Sequence, residues 1–289
     1  NQTRQEETGR ETLFTIQHPA DQPISPRVLI HYFEGAMDAG NAGALAVDQL
    51  LMTLPSERVA TFDIDALVDY RARRPTMTFV HNNYSSVTMP EMVLDLLHDD
   101  DGEDVLLLHG SEPDYRWDEF VGAVAHLAVS MGVSQAVGMS GIPMAVPHSR
   151  PVGMTVHGSD ERLIGEHKPV FGTVQVPASL AALLEMRLGE SGRDAVGFSI
   201  HVPHYLAQST FHDGALTALN AIVDCTGLNL PNDALAEAAR EGRMQIEREI
   251  EDNDEVREDV QALERQRDAL AAADAQRDDA ALQPIAALE

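Results

Sequence analysis

RVLIHYFEGAMDAGNAGALAVDQLLM, residues 27–52, decides the fold. An apolar, β-prone run enters a Gly-rich turn and leaves it as a small-residue helix that stops at Leu54-Pro55, the layout of a β-loop-α unit. The same alternation returns in DVLLLHG followed by YRWDEFVGAVAHLAVSMG, in QAVGMSGI, and in DAVGFSIHV followed by GALTALNAIVDCTG. Apolar strands separated by helices predict an α/β fold, a three-layer sandwich whose mostly parallel sheet is covered on both faces.

Residues 73–91, RRPTMTFVHNNYSSVTMPE, interrupt this alternation. Two β-prone runs flank Asn82-Asn83, and asparagine tolerates the positive φ of a tight turn, which predicts a β-hairpin insertion. Such a hairpin either pairs with another subunit or stays a local meander. From Pro231 onward the chain turns rich in Ala, Glu, Arg and Asp, without strand patterning. Ile246, Ile250, Val256, Val260, Leu263 and Leu270 keep helical spacing, while Asn253, Arg257 and Arg267 interrupt the seam a coiled coil needs. A helix pair folded back on the core is expected, and the last dozen residues are expected to fray. Seventeen acidic and seven basic side chains give residues 231–289 a net charge of −10, read as a solvated outer face or a docking surface for a basic partner. The organisation is thus an N-terminal extension, 1–26, partly strand; a core, 27–230; and an acidic helical segment, 231–289.

Composition narrows the function. Across 289 residues, 44% apolar and 23% charged is ordinary for a folded chain with a sizeable core. A formal charge of −27 repels nucleic acid and anionic lipid, which are held by Lys and Arg. Lys168 stands alone among nineteen arginines, so most mechanisms built on a catalytic amine or a phosphate-binding lysine drop out. Cys225, the one cysteine, sits in a helical pattern and reads as a packing residue. No apolar run reaches the ~20 residues of a membrane helix, and NQTRQEETGRET carries no secretory pattern, so a cytoplasmic location is expected.

Four polar clusters fall where strands end, and open parallel sheets bind ligands at the carboxyl ends of their strands. EGAMDAGNAG, 34–43, lacks the Lys and Ser/Thr of a phosphate loop; it is a tight turn in which Asp38 caps the helix, or a ligand-facing loop with Asp38 and Asn41. HGSEPDYRW, 109–117, offers His109, Glu112 and Asp114 for acid–base work, or else only a strand break and helix cap. In GMSGIPMAVPHSRPVG, Ser140 falls one position short of a nucleophile elbow. Prolines there stiffen the segment bearing His148 and Arg150, whose guanidinium suits a carboxylate or phosphate. In HVPHYL, His201 and His204 face opposite sides of an extended strand unless Pro203 turns the chain, and a zinc site would need a third ligand from His148, His157 or a carboxylate. No metal and no cofactor is expected.

GAMDAGNAG, LLLHGSEPDYRW, GIPMAVPHSRPVG and GFSIHVPHYLAQS, in this order and ahead of an acidic helical tail, together resemble the bacterial branch of the proteasome assembly chaperone 2 family over about residues 27–270. FHDGA departs from the pattern, with His212 and Asp213 where a proline-containing turn is expected. The resemblance implies a phosphorylase/hydrolase-like core, a hairpin that mediates homo-oligomers, specifically trimers, and a C-terminal helical lid over a ligand site. It brings no established reaction, and assembly work follows by analogy only. His201, His204 and Tyr205 are then expected at the carboxyl edge of a central strand, beside the loops bearing Asp38, Glu112 and Arg150. Two functions fit: an assembly-chaperone-like binding protein with a lidded polar pocket for a protein partner or small polar ligand, or a hydrolase or phosphorylase-like enzyme. In the enzyme, His204 or His201 is the base, Glu112 or Asp38 orients it, and Arg150 holds an anionic group.

Overall fold

The computed structural model describes residues 13–19, 21–35, 37–169, 172–251 and 253–282, with the side chains of the final helix described to 273. In chain order the strands are β1 (Phe14–Ile16), β2 (Val28–Glu34), β3 (Ser56–Phe62), β4 (Thr76–Val80), β5 (Asn83–Thr88), β6 (Met92–His98), β7 (Asp104–Ser111), β8 (Gln135–Met144), β9 (Met154–Gly158) and β10 (Asp194–Pro203). The helices are α1 (Ala42–Thr53), α2 (Ile64–Leu67), α3 (Trp117–Ser130), α4 (Glu161–Ile164), α5 (Leu180–Glu190), α6 (His212–Thr226), α7 (Asp233–Glu251) and α8 (Asp254–Leu282). Short 3-10 turns at Ala39–Asn41 and His204–Leu206 follow β2 and β10.

Eight strands form one sheet in the order β1-β3-β6-β7-β2-β8-β10-β9. Its centre, β7-β2-β8-β10, is parallel, as the alternation of strands and helices requires. The edges are antiparallel, and one reason is chain length. The link from His98 to Asp104 is too short for a crossover, so β6 must return beside β7. Side chains of β2 alternate between two cores. Leu29 and Phe33 pack with Leu106, Phe120 and Leu184 under α3 and α5. Val28, Ile30 and Tyr32 pack with Val137, Ile200 and Leu219 under α1 and α6. A run buried on both faces is what a central parallel strand needs.

The expected hairpin is β4 and β5, a separate antiparallel pair whose strand residues are all exposed. Val80 pairs with Asn83, and His81 takes the positive φ, 54°. The turn therefore lies one residue earlier than Asn82-Asn83 suggests. Phe79 and Tyr84 pack ring to ring at 4.9 Å on its surface. At the other end of the chain, α7 buries Leu235 against the α6 layer and Ile246 against Val202, Leu206 and Phe211. Asn253 breaks the helix, its side chain accepting from the amide of Val256 at 3.3 Å, and α8 turns back. At FHDGA the chain begins α6 directly at His212, and Asp213 pairs with Arg243 of α7. The expectations for residues 1–12 and for the fraying end beyond 282 lie outside the described residues. No described helix is long and apolar enough to cross a membrane.

Candidate functional site

The loop after β2 is built around Asp38. Gly40 (φ 67°) and Asn41 (φ 54°) both adopt the left-handed region, which curls the chain so that the Asp38 carboxylate meets the start of α1. One oxygen accepts from the amides of Gly43 (2.9 Å) and Gly141 (2.8 Å). The other accepts from the amide of Ala44 (3.0 Å) and the hydroxyl of Tyr32 (3.1 Å). Burial, with this carboxylate beside it, pushes the Tyr32 phenol far up. The helix N-terminus that could attract a ligand anion is thus occupied by the protein's own, and the loop also locks β2 to β8. Asn41 is exposed and caps nothing with its side chain.

At the carboxyl ends of β8 and β10, the segment PHSRP meets the turn after β10. The buried His148 approaches the Tyr205 hydroxyl twice, through its backbone amide (2.9 Å) and through Nδ1 (2.8 Å). A hydroxyl that accepts the amide and donates to Nδ1 satisfies both, which fixes a neutral imidazole. Burial lowers the His148 pKa in the same sense, against the opposing charges of Glu247, Glu264 and Asp213. Burial pushes Tyr205 up to about 12. His204 is exposed and packs edge-on to Tyr205 at 5.4 Å.

Arg150 is committed to α8. Its Nε and Nη2 donate to the two carboxylate oxygens of Asp268 at 2.9 and 2.8 Å, and its Nη1 lies 3.5 Å from Glu264. Ser149 donates to Glu264 as well. A fork engaged with a planar carboxylate is what arginine geometry favours; here the carboxylate belongs to the C-terminal helix. The clamp and the His148–Tyr205 pair close the end of β8 and β10 beneath α7 and α8.

The remaining expected residues lie elsewhere. His201 is buried and turned to β9, its Nε2 2.8 Å from the Thr155 hydroxyl; burial, and then the charge of Arg267, lower its pKa. Glu112 accepts from the amide of Leu180 at 2.8 Å and so caps α5. Asp114 takes Arg73 (2.8 Å) and the amide of Asp69 (2.7 Å). Burial would raise the Asp114 carboxyl, but these partners hold it below its ordinary value. His109 faces Asp95 on β6 at 2.9 Å, and Arg58 reaches the other Asp95 oxygen at 2.5 Å. Burial pushes against ionisation of Asp95, and His109 with Arg58 outweigh it. A cleft lined by Glu34, Arg73, Thr76, Glu91 and His109 opens beside this network at the base of the hairpin. Ser140 is half-buried on β8 beside Ser199 of β10. Among the described residues no group of three His, Cys, Asp or Glu side chains could hold a metal ion.

Sequence reasoning reached Arg150, His148 and Tyr205 but not Glu264 and Asp268, which close the site from 114 and 118 residues away. The one available signal was the regular placement of acids on a helix following a segment with an unpaired arginine.

Residues 32–250 match the model of the PAC2 family. Among solved structures, an unknown-function protein of Mycobacterium tuberculosis, Rv2714, is similar at 42% identity and TM-score 0.88, with 93% of each chain covered. A protein of unknown function from Corynebacterium glutamicum is 33% identical with TM-score 0.84, covering 90% of this chain and 98% of its own. A proteasome-assembly chaperone homologue of M. tuberculosis, Rv2125, shares the fold at 24% identity and TM-score 0.73, covering 81% of this chain and 99% of its own. No curated protein matches the chain.

Proposed function

Since the chain belongs to the PAC2 family, we propose that it is a cytoplasmic, assembly-chaperone-like binding protein that works as a homo-oligomer. The core, 27–230, carries a polar pocket at the carboxyl ends of β8 and β10, and the acidic segment 231–289 is its lid. The hairpin β4–β5 joins subunits, and the oligomer is a trimer. Likeness in fold to a proteasome-assembly chaperone homologue supports the binding role.

One observation carries this reading: Arg150 is held by Asp268 and Glu264. A cation suited to anion recognition is masked by acids on a surface helix, so displacing that helix uncovers Arg150 together with His148 and Tyr205. A partner with an acidic group competes directly for the guanidinium. An enzyme built on Glu112, Arg150 and His201 is less favoured, because Glu112 caps α5, Arg150 is held by α8 and His201 is turned to Thr155. Those side chains serve separate contacts.

The test is a pull-down with the full chain and with Arg150→Ala, run beside a thermal-shift screen against nucleosides, sugars, amino acids and peptides. A stable protein complex weakened by Arg150→Ala supports the reading. Binding of a small metabolite with turnover that is abolished by His204→Ala overturns it in favour of the enzyme.

A further inference from the structure

A second polar site lies under α5, on the sheet face to which β2 contributes Leu29 and Phe33. Pairing places His31, Gly138, Gly197 and His157 in one row across β2, β8, β10 and β9. Both glycines are there for space. A Cβ on Gly138 would stand 2.5 Å from His31 Cε1, and one on Gly197 would stand 2.1 Å from His157 Cε1 and 2.8 Å from a Glu185 oxygen. Two imidazoles therefore occupy the space that the glycines leave open. The next row on the same face is Ser140, Ser199 and Thr155.

Over this floor three side chains line up in sequence. Glu185 of α5 lies 2.8 Å from His157 Nδ1, and His157 Nε2 lies 3.3 Å from the Ser199 hydroxyl. A carboxylate on Nδ1 fixes the tautomer that leaves Nε2 free to accept the serine proton. The His157 side chain is 45% exposed and Ser199 is half-buried, so the relay meets solvent. His31, fully inside, keeps an Nδ1 with no hydrogen-bond partner.

We propose that Glu185, His157 and Ser199 form a nucleophilic relay that hydrolyses carboxylic esters. The substrate class follows from the chemistry: a serine hydroxyl beside a histidine whose other ring nitrogen faces a carboxylate supplies the oxygen nucleophile and the base that acyl transfer from an ester needs. Ser140 and Thr155 stand in register on either side of Ser199. His201 Nε2 lies 2.8 Å from the Thr155 hydroxyl; in the tautomer protonated at Nε2 it donates there, which leaves the threonine hydroxyl to donate to a carbonyl oxygen that gains charge.

In the first half-reaction Ser199 Oγ bonds to the carbonyl carbon while its proton passes to His157 Nε2. The bond from that carbon to the alcohol oxygen breaks, and His157 returns the proton to the departing alcohol. Water then gives a proton to His157 and adds to the acyl carbon. The bond to Ser199 Oγ breaks, the acid leaves, and the serine recovers its proton. Glu185 is a positioning residue; Ser199 and His157 do the chemistry.

The experiment uses the full chain with 4-nitrophenyl acetate and a fluorophosphonate probe. In the probe reaction Ser199 Oγ bonds to phosphorus, fluoride leaves and the proton goes to His157. The expected result is one added phosphonyl group, mapped to Ser199, with loss of ester turnover in proportion. Ser199→Ala abolishes labelling, His157→Gln slows it at least about 100-fold, and Glu185→Gln lowers kcat while leaving KM in place. Mapping on the unaltered chain decides the matter even if a variant fails to fold. No label, a label on another hydroxyl, or a folded Ser199→Ala that turns over ester at the unaltered rate overturns the proposal.

Discussion

Arg150 and Asp268 are joined by two hydrogen bonds, Nε to Oδ1 at 2.9 Å and Nη2 to Oδ2 at 2.8 Å, across 118 residues of sequence. Both side chains sit near solvent, where an ion pair contributes little to overall stability. Its role is local, because on the described part of α8 Val260 is the residue buried against the rest of the protein.

Replacing Arg150 with Ala should therefore release α8 without unfolding the core. Limited proteolysis should cut residues 254–282 several-fold faster, and hydrogen exchange there should rise, while the global melting temperature changes little. High salt should act in the same direction by screening the pair. Asp268→Ala should match Arg150→Ala, and the double variant should add nothing further, since one interaction is being removed twice.

Asp38 allows a sharper test, because it is an internal anion at a helix N-terminus. Asp38→Ala leaves the amides of Gly43, Ala44 and Gly141 without their acceptor, at a cost of about 1–3 kcal/mol. The vacated position should then take an anion from solution. Adding phosphate or sulfate should raise the melting temperature of the variant by clearly more than that of the unaltered protein. Equal responses would show that the loop collapses rather than opening.

For the hairpin, exposed Met77, Phe79, Val80, Tyr84 and Val87 make an apolar ribbon of the kind that marks an interaction surface. Phe79→Glu combined with Tyr84→Glu should reduce the sedimenting mass from oligomer to monomer while leaving the far-ultraviolet spectrum unchanged. An oligomer that survives both charges would assign assembly to another surface.

The parallel centre and the hairpin were legible in the sequence because each rests on local signals: apolar runs, Gly-rich turns, and a polar pair between β-prone stretches. The antiparallel edge was not. MVLDLLH has an acid among its apolar residues, and Asp95 makes sense only once Arg58 and His109 arrive from neighbouring strands. Arg150 could be read as a carboxylate binder, but its carboxylate was hidden in a helix whose acids read as a solvated face. Glu185 and Ser199 carried no signal of their own. The antiparallel pairing of β9 with β10 puts His157 opposite Gly197, and α5 supplies the acid; no spacing along the chain encodes either.

His31 links this buried floor to pH. Burial, with a smaller contribution from the charge of His157, lowers its pKa from 6.5 to about 4. The folded-state value lies below the unfolded one, so between pH 6.5 and 4 the unfolded chain takes up a proton that the folded chain refuses. Stability should be full above pH 6.5 and decline as the pH falls through this window, by about 3 kcal/mol for this group alone. His31→Asn, which cannot titrate, should lack that share of the slope. Urea melts at several pH values between 7 and 4 measure it directly: parallel stability curves for the two proteins would mean that His31 gains a proton, and a partner for it, inside the fold.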